Sequence, residues 1–158
     1  MTNPADDDTD IDAVTDAMLT ASRLLIAISA RSIASVADSL TLPQFRLLVV
    51  LANGGATKLV TLAEQLGVNP STATRTVDRL ISSGMVTREA NPASRREILL
   101  RLSPEGERVV ERVTSQRRAE IAEIVARMPA AERAGFVEAL WSFARAGGEP
   151  PAGNRVGL

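Results

Sequence analysis

Apolar positions along this chain follow two different periods, and the change from one to the other marks out its centre. From Pro70 to Gly84, steps of 100° per residue put Ala73, Val77 and Leu80 on one stripe with Ile81 at its edge. Ser71, Arg75, Asp78 and Arg79 fall on the opposite side, flanked by Thr72 and Thr74. The pattern predicts an amphipathic helix with an apolar inner face and a hydroxyl-rich, basic outer one. Its start is well defined: the Asn69 side chain can accept from an unpaired backbone N–H, and Pro70 at the first helical position surrenders a donor that had no partner. Gly84 is placed to end it in a left-handed conformation. Upstream, Leu59, Leu62, Ala63 and Leu66 show the i, i+3, i+4, i+7 spacing of a short helix, Thr61 to Gly67, and the three residues from its closing Gly67 to Asn69 link it to Pro70. Downstream the period falls to two. Met85, Val86 and Thr87 form one strand-like run, and Ile98, Leu100 and Leu102 alternate with Glu97, Leu99 and Arg101 in another. Together they predict a hairpin, Met85 to Leu102, that turns at Asn91 and Pro92, with a tip, Asn91 to Arg96, ending on Arg95 and Arg96.

The flanking segments read as helices with more apolar surface than one small domain can cover. From Ile11 to Asp38 there is neither Pro nor Gly, and Ile11, Val14, Met18, Leu25, Ile28 and Val36 recur at helical spacing. Thr41 then caps a helix with Pro43 in its first turn and a stripe of Phe45, Leu48, Val49 and Ala52, which Asn53, Gly54 and Gly55 stop. After the hairpin, Ser103 caps a long helix with Pro104 at its first position and Glu105 and Glu107 in its first turn, both favourable against the helix dipole. Its stripe is Val109, Val113, Ile121, Ile124, Val125 and Met128. A last helix, Ala130 to Ala146, carries Phe136, Val137, Leu140, Trp141 and Phe143.

A helix, a tight turn, a second helix with a polar outer face and a basic hairpin make the sequence form of a winged helix-turn-helix, a DNA-binding unit. Hydroxyls can bond phosphates or base edges without bulk, an arginine can bond guanine through two hydrogen bonds, and arginines on a hairpin tip suit a narrow, electronegative minor groove. An ordinary solvated helix would also carry Ser, Thr and Arg, so the conjunction of helices and hairpin carries the reading. The fold class is mainly α with a small β-wing: a winged helix-turn-helix plus N- and C-terminal dimerisation helices.

Charge supports this once it is divided along the chain. The formal net charge is −1, yet Asp6, Asp7, Asp8, Asp10, Asp12 and Asp16 in residues 1–22 stand with no Lys or Arg, so the remainder carries +5. Between Asn69 and Arg101, six arginines face only Asp78, Glu89 and Glu97, a local +3. With no Cys, no His and no Tyr in 158 residues, thiol chemistry, disulfides and the commonest metal ligand and general base are excluded. No enzyme, metal or cofactor is expected. The polar acidic start is unlike a signal peptide, and the longest apolar run, Leu47 to Ala52, is too short to span a bilayer. A cytoplasmic protein without membrane association is expected, with residues 1–9 and 147–158 as disordered or flexible tails around a single domain, residues 10–146.

The order of these elements resembles the MarR family of bacterial transcriptional regulators, named for multiple antibiotic resistance. The resemblance runs from about Ile11 to Ala146. It is most specific in Leu62–Val68, in Ser71–Leu80 followed by Gly84, Met85, Val86 and Arg88, and in the segment Leu102 to Gly106 after the wing. It implies a homodimer whose terminal helices, about 11–38 and 104–146, intertwine and set two winged units, each about 41–103, on a roughly palindromic site in double-stranded DNA. It also implies that Ser71, Thr72, Thr74, Arg75 and Arg79 face the major groove and that Arg96, with Arg95 sharing the role, enters the minor groove. The family's wing has an aspartate two residues before that arginine, where this chain has Ser94. A ligand-responsive repressor answering to a small aromatic or phenolic acid is the implied function. The alternative from the residues themselves is a winged helix that serves only as a protein-interaction surface.

Overall fold

The computed structural model describes residues 4–149. Eight elements follow in order: α1 (Pro4–Ala34), α2 (Leu42–Gly54), α3 (Leu59–Leu66), α4 (Pro70–Ser82), β1 (Val86–Asn91), β2 (Ser94–Leu102), α5 (Pro104–Arg127) and α6 (Ala130–Ala146). Mainly helical, with one two-stranded antiparallel sheet, the chain has the winged-helix class that its pattern predicts. Among the described residues, no helix is long and apolar enough to cross a membrane.

The core forms where α2 meets everything else. Phe45, Leu47, Leu48 and Leu51 of α2 pack with Leu62 of α3, Val77 and Leu80 of α4, Val86, Leu100 and Leu102 at the base of the sheet, Val109 and Val113 of α5, and Ile33 of α1. The buried stripe of α2 is therefore rotated from the predicted one: Val49 and Ala52 are half-buried, whereas Leu47 and Leu51 are nearly inaccessible. Packing on two sides, by α3 and by α5, produces this wider buried face. Local signals set the start of α2, where Thr41 and Gln44 form a reciprocal capping box.

α1 departs from its predicted limits at both ends. It begins at Pro4, so residues 4–9, expected in a disordered tail, continue the helix, while residues 1–3 lie outside the described residues. The helix ends at Ala34 rather than Asp38: the Ser35 hydroxyl donates to the Ser32 carbonyl (2.9 Å) and the chain enters turns up to Leu40. Of the expected C-terminal tail, Gly147 and Gly148 form a turn after α6, and residues 150–158 lie outside the described residues.

One joint connects the helix-turn-helix, the sheet and α5. Gly84, at φ +75°, lets the chain leave α4 with the Gly84 N–H on the Ile81 carbonyl (2.9 Å) and the Met85 N–H on the Leu80 carbonyl (2.9 Å), so the orphan carbonyls of the last turn are used. The Ser103 hydroxyl donates to the Gly84 carbonyl (2.6 Å) and accepts from the Gly106 N–H (3.0 Å), while the Ser103 N–H donates to the Met85 carbonyl (3.0 Å). α5 lies so close that a Cβ on Gly106 would stand 2.2 Å from the Met85 carbonyl oxygen and 3.1 Å from a Leu102 methyl.

A substitution there tests the joint. Gly106→Ala should lower the unfolding free energy by about 1–3 kcal/mol, since the obstacle is backbone and cannot swing away. Gly54→Ala, where a Cβ meets nothing within 4 Å, should be neutral or stabilise by up to about 1 kcal/mol. Urea denaturation of both variants measures the difference.

Candidate nucleic-acid interface

α4 stands with its inner face in the core and its outer face in solvent. Ala73, Val77 and Leu80 are buried as the pattern predicts, and Ser71, Arg75, Asp78 and Arg79 are exposed, with Thr72 and Thr74 half-buried at the flanks. The N-terminus is held as its sequence implies, the Asn69 carboxamide oxygen accepting from the Thr72 N–H (2.8 Å). That oxygen also accepts from the Ser71 hydroxyl (2.7 Å), and the Thr74 hydroxyl donates to the Pro70 carbonyl (2.8 Å). Both hydroxyls thus point their protons into the helix.

The charges around α4 are sorted. Asp78, the one acid on the outer face, pairs with Arg88 of β1 (2.5 Å). Glu89 pairs with Arg101 across the sheet (3.0 Å), and Glu97 pairs with Lys58, the residue that precedes α3. Every carboxylate between Asn69 and Arg101 is therefore matched by a base. Arg75, Arg79 and Arg96 have no ion-pair partner among the described residues, and all three are exposed. Arg75 and Arg79 stand one turn apart, a like-charge spacing that costs a helix about 0.2–0.5 kcal/mol until an anion lies against it.

The wing differs from its sequence reading in its tip. Pro92 and Ala93 alone form the turn, closed by the Asn91 carboxamide oxygen on the Ala93 N–H (3.0 Å). β2 starts at Ser94, so Arg95 and Arg96 lie in a strand rather than on a loop. Pairing passes from Asn91↔Ser94 to Ala90↔Ile98, which leaves residues 95–97 in a bulge opposite a single step of β1. Ile98, predicted to alternate inward with Leu100 and Leu102, is 57% exposed, because the ribbon has already left the body at that level.

Two features of the wing were not legible in the sequence. Thr57 exchanges backbone hydrogen bonds with Leu100 (3.0 and 2.8 Å), a one-residue third strand that ties the sheet to the approach to α3. Glu97 accepts from the Lys58 ammonium on one oxygen and from the Asn91 carboxamide (2.8 Å) on the other. The Lys58 hydrogen bond first, and the Asn91 bond second, hold the Glu97 carboxyl below its ordinary range, so the group is charged at neutral pH. A pairing between residues 58 and 97 leaves no local spacing for a sequence reading to find.

The sequence model of the MarR family matches residues 40–98, the span that holds α2, α3, α4, β1 and the outer part of β2. The crystal structure of RV1404 from Mycobacterium tuberculosis is 55% identical, with a TM-score of 0.83, over 90% of this chain and 97% of that one. The multiple antibiotic resistance protein MarR of Salmonella typhimurium is 33% identical over 72 residues, 46% of this chain and 50% of that protein. BpsR of Bordetella bronchiseptica, whose structure concerns regulation of its DNA binding by 6-hydroxynicotinic acid, is 26% identical with a TM-score of 0.62, over 83% of this chain and 92% of that one. The chain spans about half the length of the curated relatives it matches. With the helix-turn-helix and the wing inside the matched span, and a near-complete match to a relative of the same fold, the chain belongs to the MarR family of winged-helix transcriptional regulators.

Proposed function

We propose that the protein is a sequence-specific DNA-binding repressor that acts in the cytoplasm as a homodimer. One observation carries the reading: every acid between Asn69 and Arg101 is paired, and Arg75, Arg79 and Arg96 are left exposed without a carboxylate partner among the described residues. An anionic polymer is the partner that such a surface lacks. In this reading Ser71, Thr72, Thr74, Arg75 and Arg79 face the major groove, and the bulged segment with Arg95 and Arg96 approaches the minor groove. A surface serving only protein interaction would leave those arginines without the charge that the arrangement favours.

The dimer is argued from what the single chain leaves uncovered. Among the described residues α6 has no buried residue, and Phe136, Val137, Leu140, Trp141 and Phe143 are each 39–56% exposed. In α1, Ile11, Val14, Leu19, Leu24, Leu25 and Ile26 are exposed as well, and only Ile28 and Ile33 are buried among its large apolar residues. Apolar surface on that scale marks an interface, and two-fold pairing is its commonest form. We therefore divide the chain into a winged unit, about 41–103, and dimerising helices, about 11–38 and 104–146, and place two winged units on a pseudo-palindromic operator.

The proposed effector is a small aromatic or phenolic acid held against the long helix α5. Along α5, Thr114, Arg117, Arg118, Ile121, Ala122 and Val125 line a shallow, mainly apolar depression of about 420 Å³. The Arg117 Nε is buried there without a hydrogen-bond partner, and burial pulls the guanidinium below its ordinary pKa, a combination that a carboxylate would relieve. Release from DNA then requires the acid to prefer the dimer whose winged units are wrongly spaced for two half-sites.

Two measurements test the proposal. A duplex selected from a random-sequence library and a scrambled control, titrated by fluorescence anisotropy at several salt concentrations, separate the arginines. Arg75→Ala should cost about 1–3 kcal/mol for each guanine it would otherwise bond and flatten preference at one base position per half-site. Arg96→Ala should weaken both duplexes more nearly alike and reduce the salt slope. An Arg75→Ala protein with unchanged affinity and preference would remove α4 as the reading element. Light scattering at micromolar concentration should return twice the chain mass, and a folded monomer there would rule out the two-half-site arrangement.

A further inference from the structure

The backbone connection between wing and body ends at the Thr57–Leu100 pair. Beyond it the wing is a two-stranded ribbon with an exposed Ile98 and a bulge at residues 95–97, and a ribbon of that kind has little stability of its own. The arginines lie on this outer part. Lys58 follows Thr57 directly, so its ammonium reaches the ribbon from a backbone already fixed to β2. Glu97 is the sole carboxylate in residues 91–97, and its two oxygens are divided between Lys58 and Asn91. Asn91 in turn uses its amide on Glu97 and its oxygen on the Ala93 N–H, so the turn and the ion pair form one unit.

We propose that Glu97, clamped between Lys58 and Asn91, is the positioning residue of the wing, tying the outer ribbon to the start of α3 and thereby fixing where Arg96 is presented to DNA. The proposal rests on the reading of the wing as a DNA-contacting element. It assigns an orienting role to an acid on the C-terminal side of the arginine, in a wing whose residue two before it is Ser94. Lys58 also cancels the charge of the acid, so that Glu97 does not repel a phosphate backbone. An exposed ion pair contributes little to the stability of the whole protein. The effect is confined to the tip, and that separates positioning from a general structural role.

The test uses the full-length protein with Glu97→Gln, Lys58→Met and Lys58→Arg. If charge alone mattered, Glu97→Gln would bind the selected duplex more tightly, having shed a negative group, and Lys58→Met more weakly. Positioning predicts that both weaken binding, by roughly 3-fold, at unchanged melting temperature, and that Lys58→Arg retains wild-type affinity. Amide hydrogen exchange of the free protein at residues 93–98 should quicken in the first two variants and not in the third. Tighter binding by Glu97→Gln, or exchange at the tip unaltered in both Glu97→Gln and Lys58→Met, would overturn the assignment. A wild-type protein that bound no duplex would instead overturn the proposed function, and the exchange measurement alone would then judge the clamp.

Discussion

The Met85 carbonyl is the point on which the three parts of the molecule converge. It follows the turn that ends α4, accepts from the Ser103 N–H, and lies too near α5 for any side chain at Gly106. Ser103 completes the joint by serving at once as the cap of α5 and as a donor to the last turn region of α4. A helix end, a sheet base and a helix start are thereby joined within a few residues, and the buried Leu80, Val86, Leu102 and Val109 fill the space behind them. At this joint α4, the base of the wing and α5 are held by hydrogen bonds and a steric limit, neither of which varies with salt or pH as the surface Asp78–Arg88 pair between α4 and β1 does.

Around this rigid centre the charges are arranged so that attraction to an anion is not cancelled locally. The formal charge of the whole chain is −1, which by itself describes a protein with no preference for polyanions. Ion pairing alters that at short range. Asp78, Glu89 and Glu97 each lie against a base, two of them within the wing and its junction with α4. The excess of arginine is thus left unpaired on α4 and the wing, while the aspartates responsible for the negative total belong to α1. At physiological ionic strength fields fade within about 8 Å, so the local arrangement outweighs the sum.

Elements governed by nearby residues were legible in the sequence. α4 begins at Pro70 under an Asn69 cap and turns at Gly84 because each signal acts within a few residues of where it is written. Its buried and exposed faces follow from periodicity alone. The tip of the wing was not so readable: Asn91 closes a tighter turn than composition suggests, and the register skip that places Arg95 and Arg96 in a bulge depends on pairing between strands. Leu47 and Leu51 were absent from the predicted stripe of α2 because a helix touched on two sides buries more than one face. The opening of α1 was hidden by composition, since a run of aspartates reads equally as an unstructured tail or as the favourable first turns of a helix. The positions of Ser71, Thr72, Thr74, Arg75 and Arg79 on or beside the outer face of α4 followed from the period, whereas Lys58 and Glu97 belong together only in three dimensions.

The hydroxyls at the start of α4 have a directional character that composition does not convey. Ser71 and Thr74 spend their protons on Asn69 and Pro70, so outward they show lone pairs only. Arg75 and Arg79 show only N–H groups. The outer surface of the helix therefore shows acceptors at Ser71 and Thr74 and donors at Arg75 and Arg79, a fixed polarity rather than a set of interchangeable polar groups. Against a base edge, acceptor hydroxyls match the exocyclic amino groups of cytosine and adenine, and the guanidinium forks match the paired acceptors of guanine. In the proposed DNA-reading role of α4, a duplex offering a carbonyl where an amino group is called for would have to turn a hydroxyl out of the helix, breaking a bond that the free protein already holds.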